Sequence, residues 1–399
     1  MMLKLKRIAI QNFKSIQDMD FPVSPVSILV GRNNCGKSNI LEACHLLKFA
    51  EKPVEMAHVA LKDKCHDLDH DRQLFAFTFE LPESMWESLF KGKNYKKLFI
   101  EYPNITFLWP FGWHKSIHHC PLFITDISLE DFKRWSSSPE KILHTKEIGF
   151  FTSEKVSASS TRHQIFDNNM IGNKFQDMLP PIYFSSAHRL SFSDDLIHLP
   201  ETLDEEGSEL TSFLFNKYNN YKLDYDRYLE TVKDILPEIK DIYMNISKEK
   251  TARKSFKVSL NVVEKGSSIS RDFKELGSGV EQVLILIAQV LFSKDGSIHL
   301  IDEPGGFLHP TAQRYLLDFF KDQSEHQNKT FLITSHSTSF VQHPDMNSLF
   351  HVIKDEQGTR VNPCSKAETV QDILADIDSK QMKQFEGVEK QYGLDTIKY

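Results

Sequence analysis

Cysteine is scarce in this sequence: Cys35, Cys44, Cys65, Cys120 and Cys364 are the only five in 399 residues. They follow no pairing pattern, which excludes the disulfide framework of a small secreted domain and favours a reducing compartment. Long hydrophobic runs are missing as well. The longest apolar stretch, 283–292, is about half of the ~20 residues a membrane-spanning helix needs. The opening MMLKLKRIAIQNFKS holds only a short apolar run and makes no secretory leader. These absences predict a cytoplasmic protein with no membrane contact. Positive charge is not in excess either, with 48 Lys and Arg against 55 Asp and Glu. A generally basic nucleic-acid coat protein is thereby excluded, although a local basic groove is not. No internal repeat or low-complexity tract is present, so solenoid and tail-like architectures drop out.

What remains is material for a sizeable core: 40% hydrophobic residues, 30 of them Phe. Residues 3–10 alternate as a strand does, and 26–30 form a short apolar run ending at Gly31. Residues 38–50 have helical spacing. Strands are expected at 73–81 and 98–108, loops through the Ser-, Lys- and Asn-rich 135–175, helices across 200–240 and strands within 241–265. Helix 279–293, strand 298–301, helix 310–322 and strand 330–334 then alternate as in an α/β core. The polar stretch 365–399 is expected to be helical. This divides the chain into an N-terminal lobe (1–190), a helix-and-strand insertion (191–265), a C-terminal lobe (266–360) and a tail (361–399).

The most specific motif is Gly31-Arg32-Asn33-Asn34-Cys35-Gly36-Lys37-Ser38, a complete G-x-x-x-x-G-K-[ST] between a strand and a helix. Its glycines let successive backbone N–H groups face one phosphate, and the helix beginning near Lys37 aims its positive end at the same anion. Lys37 is expected to reach the β- and γ-phosphates and Ser38 to offer its hydroxyl to Mg²⁺. A second motif, SIHLIDEP at 297–304, is an apolar strand ending in two acids at the edge of a sheet. Asp302 is the candidate Mg²⁺ ligand and Glu303 the candidate base for the attacking water. FLITSH at 331–336 is a further apolar strand with His336 just beyond its end, placed to hydrogen-bond a phosphate or the water.

LGSGVEQ at 276–282 opens a helix shortly before the acidic strand. With it the set resembles the ABC-type ATPase heads of the SMC, RecF and OLD branch. IQNFKSI at 10–16 is similar to the opening of that branch, GRNNCGKSN at 31–39 to its phosphate loop, and LIDEPGGFLHP and LITSH to its acidic strand and switch. IYFSSAHR at 182–189 is more loosely similar to a strand-plus-arginine element of the OLD type. The resemblance implies an α/β fold: an ABC-type P-loop NTPase head with a β-rich N-terminal lobe and a short helical insertion. It implies ATP and Mg²⁺ as cofactors, held by Gly31, Asn33, Asn34, Cys35, Gly36, Lys37, Ser38 and Asn39. Catalysis then falls to Glu303, His336 and Lys37. Ser278 and Gly279 would act in trans on the nucleotide of a second copy, so the active protein is a homodimer or higher oligomer. A glutamine coupling Mg²⁺ to the moving lobe belongs within 60–150, where no position stands out.

Roughly 85 residues separate Arg189 from Leu276, too few for the long heptad arms of a true SMC protein. The stretch after His336 is too short for the TOPRIM nuclease of a full OLD protein. The expectation is an ATPase that serves a separate effector, a nuclease or toxin, in anti-phage defence. Two readings compete with it: a RecF-like repair ATPase clamping DNA, and a nucleotide-gated module without turnover. Two His- and Cys-rich segments, 65–71 and 114–120, lack zinc-site spacing and read as surface loops. The basic 248–257 is a candidate DNA contact whose simpler reading is a solvated loop.

Overall fold

The computed structural model of the protein describes residues 3–49, 73–84, 104–111, 122–124, 179–186, 199–204, 207–248, 256–267, 269–306, 308–341, 348–364 and 373. The expectations for 98–103, 135–175, 187–189 and 365–399 apart from Ile373, the two His- and Cys-rich segments, and the basic Lys250, Arg253 and Lys254 lie outside them.

Eleven of the described strands form two sheets. The N-terminal strands β1 (Lys4–Phe13) and β2 (Ile16–Pro22) join β4 (Gln73–Glu80), β5 (Asn104–Phe111) and β6 (Leu122–Ile124) in an antiparallel sheet of order β2-β1-β4-β5-β6. The second sheet is mainly parallel. It contains β3 (Val26–Val30), β7 (Ile182–Ser185), β11 (Ile298–Asp302), β12 (Thr330–Ser335), β13 (Leu349–Asp355) and β14 (Gly358–Pro363), ordered β14-β13-β3-β12-β11-β7. Only the edge strand β14 runs antiparallel to its neighbour. A smaller sheet joins β8 (Ile239–Lys248), β9 (Phe256–Glu264) and β10 (Ser270–Asp272).

The parallel strands read as continuous apolar runs because both of their faces are covered. Alternation along each strand decides which face a residue serves. Leu29, Leu300, Leu332 and Phe350 share a core with the antiparallel sheet and with α1 (Lys37–His45), which lies between the two sheets. Ile28, Ile301, Ile333 and Leu349 point the other way, into a core built with the helices α2 (Leu210–Asn220), α3 (Lys222–Ile235), α4 (Ser278–Leu291) and α5 (Pro310–Gln327). The hydroxyl of Tyr228 on α3 donates to Leu284 O at 3.1 Å, and that of Tyr225 to Ile242 O at 2.7 Å. The α2–α3 hairpin is thereby tied both to α4 and to β8. The side chain of Gln289 accepts from Ser185 Oγ and donates to Asp204 O, each at 2.8 Å, which links α4 to β7. α6 (Thr338–Val341) is a single turn after β12. No helix among the described residues is long and apolar enough to cross a membrane.

Three features differ from the sequence expectations. α5 runs on to Gln327, a turn and more beyond the expected 322. The helix after the phosphate loop ends at His45 and tightens into a 3₁₀ turn over Leu46–Phe49. The β13–β14 hairpin was not foreseen, because its alternation is short and interrupted by the polar turn at 355–358.

His299 sits in the middle of the parallel sheet with no exposed surface. Its ring stacks on Tyr183 and on Phe331, both at 5.2 Å, its direct partners on the neighbouring strands. Burial, with a smaller contribution from the Lys329 charge, pushes its pKa well below the usual 6.5. A folded pKa below the unfolded one means stability is full above about pH 6.5 and is lost as pH falls through the folded value. The loss should run at about 1.4 kcal/mol per pH unit once the unfolded chain takes up the proton. Thermal melting of wild type and His299→Phe between pH 7 and 5 checks this, the variant being expected to show the shallower decline.

Candidate active site

The parallel sheet brings the loops after β3, β11 and β12 to one edge. The loop after β3 begins at Gly31, whose position leaves no room for a side chain: a Cβ there would lie 2.1 Å from Val352 O. It ends at Gly36, which precedes α1 with φ of 101°. Asn34 is also left-handed, with φ of 64°. Arg32, Asn33 and Asn34 are exposed while Cys35 is buried. The start of α1 has no side-chain cap and no acidic residue in its first turn, so the positive end of the helix is left for an incoming anion.

Lys37 is buried at 6% exposure. Its Nζ donates to Gly31 O at 2.9 Å and to Arg32 O at 3.1 Å, and lies 3.8 Å from Glu303 Oε1. The hydroxyl of Ser38 meets both carboxylate oxygens of Asp302, at 3.2 and 3.0 Å. Thr334 on β12 donates its hydroxyl to Asp302 Oδ1 in a short bond. Its backbone carbonyl and Oγ1 both accept from the N–H of Glu303, at 3.2 and 3.1 Å.

That double anchor matters because Glu303 has φ of 47°, a left-handed conformation uncommon for any residue but glycine. The turn delivers its carboxylate to His336. His336 N donates to Glu303 Oε2 at 3.2 Å, and His336 Nδ1 lies 2.8 Å from the same oxygen. The ring contact is close without being a straight hydrogen bond, and is better described as an ion-pair contact. It raises the pKa of His336, chiefly through Glu303, against the opposing effects of burial and of Lys37.

Lys37, Ser38, Asp302, Glu303 and His336 therefore form one connected set of charged and polar groups. A hydroxyl and a carboxylate converging at hydrogen-bond distance are hard oxygen donors suited to Mg²⁺, which takes few protein ligands and fills its remaining positions with water or phosphate. Among the described residues no group of three or more His, Cys, Asp or Glu side chains could hold a metal by itself. Asn39 points elsewhere, its amide donating to Ser15 Oγ at 2.7 Å. Ser278 and Gly279 open α4. There the N–H groups of Val280 and Glu281 bond back to Gly277 O, and the helix start carries no side-chain cap.

Three contributors were not assigned a role from the sequence, although Thr334 lies within the FLITSH motif. Thr334 holds Asp302 and Glu303 together. Gln313, buried on α5, donates to Gly305 O at 2.7 Å and Leu308 O at 3.1 Å and accepts from Ser337 Oγ, bracing the turn after Glu303 against the residue after His336. A buried glutamine on the apolar face of a helix is the one hint the sequence offered. The third, Thr359, contacts the phosphate loop from β14. Within 60–150, the described Gln73 is buried at the start of β4 and donates to Asn12 O at 3.0 Å, a bond that holds the antiparallel sheet.

Comparison with known proteins gives one family match and several distant relatives. The model of a family described as AAA ATPase domain matches residues 2–341. An OLD nuclease of Thermus scotoductus is 20% identical over 383 residues, covering 88% of this chain and 62% of the relative. The Old nuclease of Escherichia phage P2 is 21% identical over 384 residues, covering 90% and 61%. The chain thus spans about three fifths of the length of both. The DNA replication and repair protein RecF of Lactococcus lactis is 31% identical over 77 residues, 19% of this chain and 18% of that one. Among solved structures, an SMC head domain from Thermotoga maritima has a TM-score of 0.44 at 13% identity, covering 91% of this chain and 100% of the other. An Smc head domain with a coiled coil and joint from Pyrococcus yayanosii has a TM-score of 0.49 at 10% identity, covering 95% and 100%.

Proposed function

The chain belongs to the AAA ATPase domain family, and from that premise we propose that it binds ATP with Mg²⁺, hydrolyses it between two copies of itself, and uses the cycle to hold or release a separate effector. The observation that carries the reading is the connected set of Lys37, Ser38, Asp302, Glu303 and His336 at the mouth of an uncapped helix. In this reading the loop N–H groups and Lys37 bind the phosphate chain. Ser38 and Asp302 hold the metal, which supplies charge neutralisation at the phosphates. Glu303 accepts the proton of the attacking water, and His336 keeps the Glu303 carboxylate aimed and ionised.

The first turn of α4 is a second helix start without a side-chain cap, separate from the connected set. That supports a role in trans, with Ser278 and Gly279 meeting the nucleotide of a partner copy. Closure on ATP and reopening after hydrolysis would then be the switch. The similarity to OLD nucleases supports a place near nucleic acid, with a nuclease as the effector; a role in anti-phage defence, and a toxin as the effector, rest on the family resemblance alone. The short similarity to RecF supports the repair-clamp alternative more weakly.

Light scattering of the purified protein with and without ATP and Mg²⁺ tests the core of the reading. A shift from monomer to dimer only with both present is the expected result. A mass independent of nucleotide would reject the two-copy site. Pull-down of the tagged protein from its host under the same conditions separates the alternatives. A stoichiometric protein partner supports the effector reading, and salt-sensitive DNA alone supports the clamp.

A further inference from the structure

Three separate stretches of the chain meet behind the phosphate loop: the β1–β2 turn at Ser15, the loop and the start of α1 at Cys35 and Asn39, and β14 at Thr359. Thr359 is completely buried. Its Oγ1 donates to Cys35 O at 2.8 Å and lies 2.7 Å from Ser15 Oγ. Ser15 Oγ also accepts from the Asn39 amide at 2.7 Å, and Ser15 O accepts from Thr359 N at 2.8 Å.

Counting hydrogens fixes the direction of this chain. A hydroxyl has one hydrogen to donate. That of Thr359 is spent on the Cys35 carbonyl, so Ser15 must donate to Thr359, and Ser15 in turn accepts from Asn39. The relay runs Asn39 to Ser15 to Thr359 to Cys35, and each hydroxyl in it donates once and accepts at least once. Chains of this kind strengthen one another in a buried setting.

We propose that Thr359 is a positioning residue for the phosphate loop, acting through the peptide between Cys35 and Gly36. In a planar trans peptide the carbonyl and the following N–H point to opposite sides. Thr359 holds the Cys35 carbonyl on the buried side. The Gly36 N–H is therefore turned toward the open side of the loop, where Arg32, Asn33 and Asn34 are exposed and a phosphate would lie. Without this bond the carbonyl is free to rotate outward and present a negative dipole to the anion. The glycine belongs to the same device, since a Cβ at position 36 would come within 2.1 Å of Thr359 Oγ1 and 2.7 Å of Ser15 Oγ. The proposal rests on the nucleotide reading above and adds to it a residue more than 300 positions away from the loop it shapes.

The test compares wild type, Thr359→Val, Thr359→Ser and Ser15→Ala. ATP affinity with Mg²⁺ is measured by calorimetry, and melting is followed without nucleotide. Valine keeps the shape and removes the hydroxyl, and is expected to weaken ATP binding about tenfold. Serine keeps the hydroxyl and should bind within about twofold of wild type. Ser15→Ala, which loses the middle of the relay, should weaken binding about threefold, and adding it to Thr359→Val should change little more. A Val variant that binds as wild type does, or a Ser variant that fails alongside it, would overturn the proposal. If the Val variant proves unfolded, wild-type affinity in Ser15→Ala overturns it equally. Failure of the wild-type protein to bind ATP would remove the nucleotide reading and this inference together, whereas normal wild-type binding with an unaffected Val variant removes only the inference.

Discussion

Glu303→Gln is expected to lower steady-state ATP hydrolysis by about 10²- to 10⁴-fold, the range for losing a positioned general base, while ATP still binds. The amide has nearly the shape of the carboxylate, so the tight turn at Glu303 and its anchors on Thr334 are retained. What disappears is the negative charge beside His336 and 3.8 Å from Lys37. With turnover blocked and the nucleotide retained, the two-copy form should persist, read in light scattering as a dimer that remains after wild type has consumed its ATP and returned to monomer. The same variant reports on His336. Glu303 is the main cause of that residue's raised pKa, so nuclear magnetic resonance titration should show it falling in the variant. The sign is consistent with the pairing. A histidine with a raised folded pKa contributes stability that is fully present below its unfolded value of 6.5 and is lost as pH rises through the folded one. Turnover in Glu303→Gln equal to wild type would mean that another group activates the water, and an unmoved His336 titration would mean that the contact does not persist in solution.

Lys37→Ala should weaken ATP binding by about 100-fold, the upper range for a charge-assisted hydrogen bond to an anion. The ammonium is held by the carbonyls of Gly31 and Arg32, so it is already positioned within the loop before nucleotide arrives. Its removal takes away the positive charge and leaves those two carbonyls without their donor. The fold should tolerate the change better than binding does, because alanine is a good helix former at the start of α1 and leaves the glycine turn in place. Calorimetric titration with ATP and Mg²⁺ provides the measurement. Affinity preserved in the variant would show that the loop does not bind phosphate, and the whole assignment of the site would fall with it.

Both predictions draw on residues that stood out along the chain, and the reason is physical. A phosphate cradle needs its glycines and lysine within a few residues of one another, so the motif is contiguous. A buried parallel strand ending in acids or a histidine is equally local, because the apolar run and its polar end lie on one short segment. Helices α2 to α5 were legible from their spacing for the same reason, and the described β5, Asn104–Phe111, overlaps the strand expected at 98–108. The β13–β14 hairpin escaped notice because a short strand beside a polar turn has little pattern to offer.

Periodicity and contiguous motifs carry the α/β class, the order of strand, loop and helix, and the residues that converge at one edge of the sheet, since each depends on neighbours in sequence. The left-handed turn at Glu303, the bracing of that turn by Thr334 and Gln313, the neutral His299 and the relay from Asn39 to Cys35 arise from contacts between segments far apart in the chain. Each is a matter of which single hydrogen bond or ring meets which partner after packing. A lone threonine or glutamine shows none of that until the fold has brought its partner alongside.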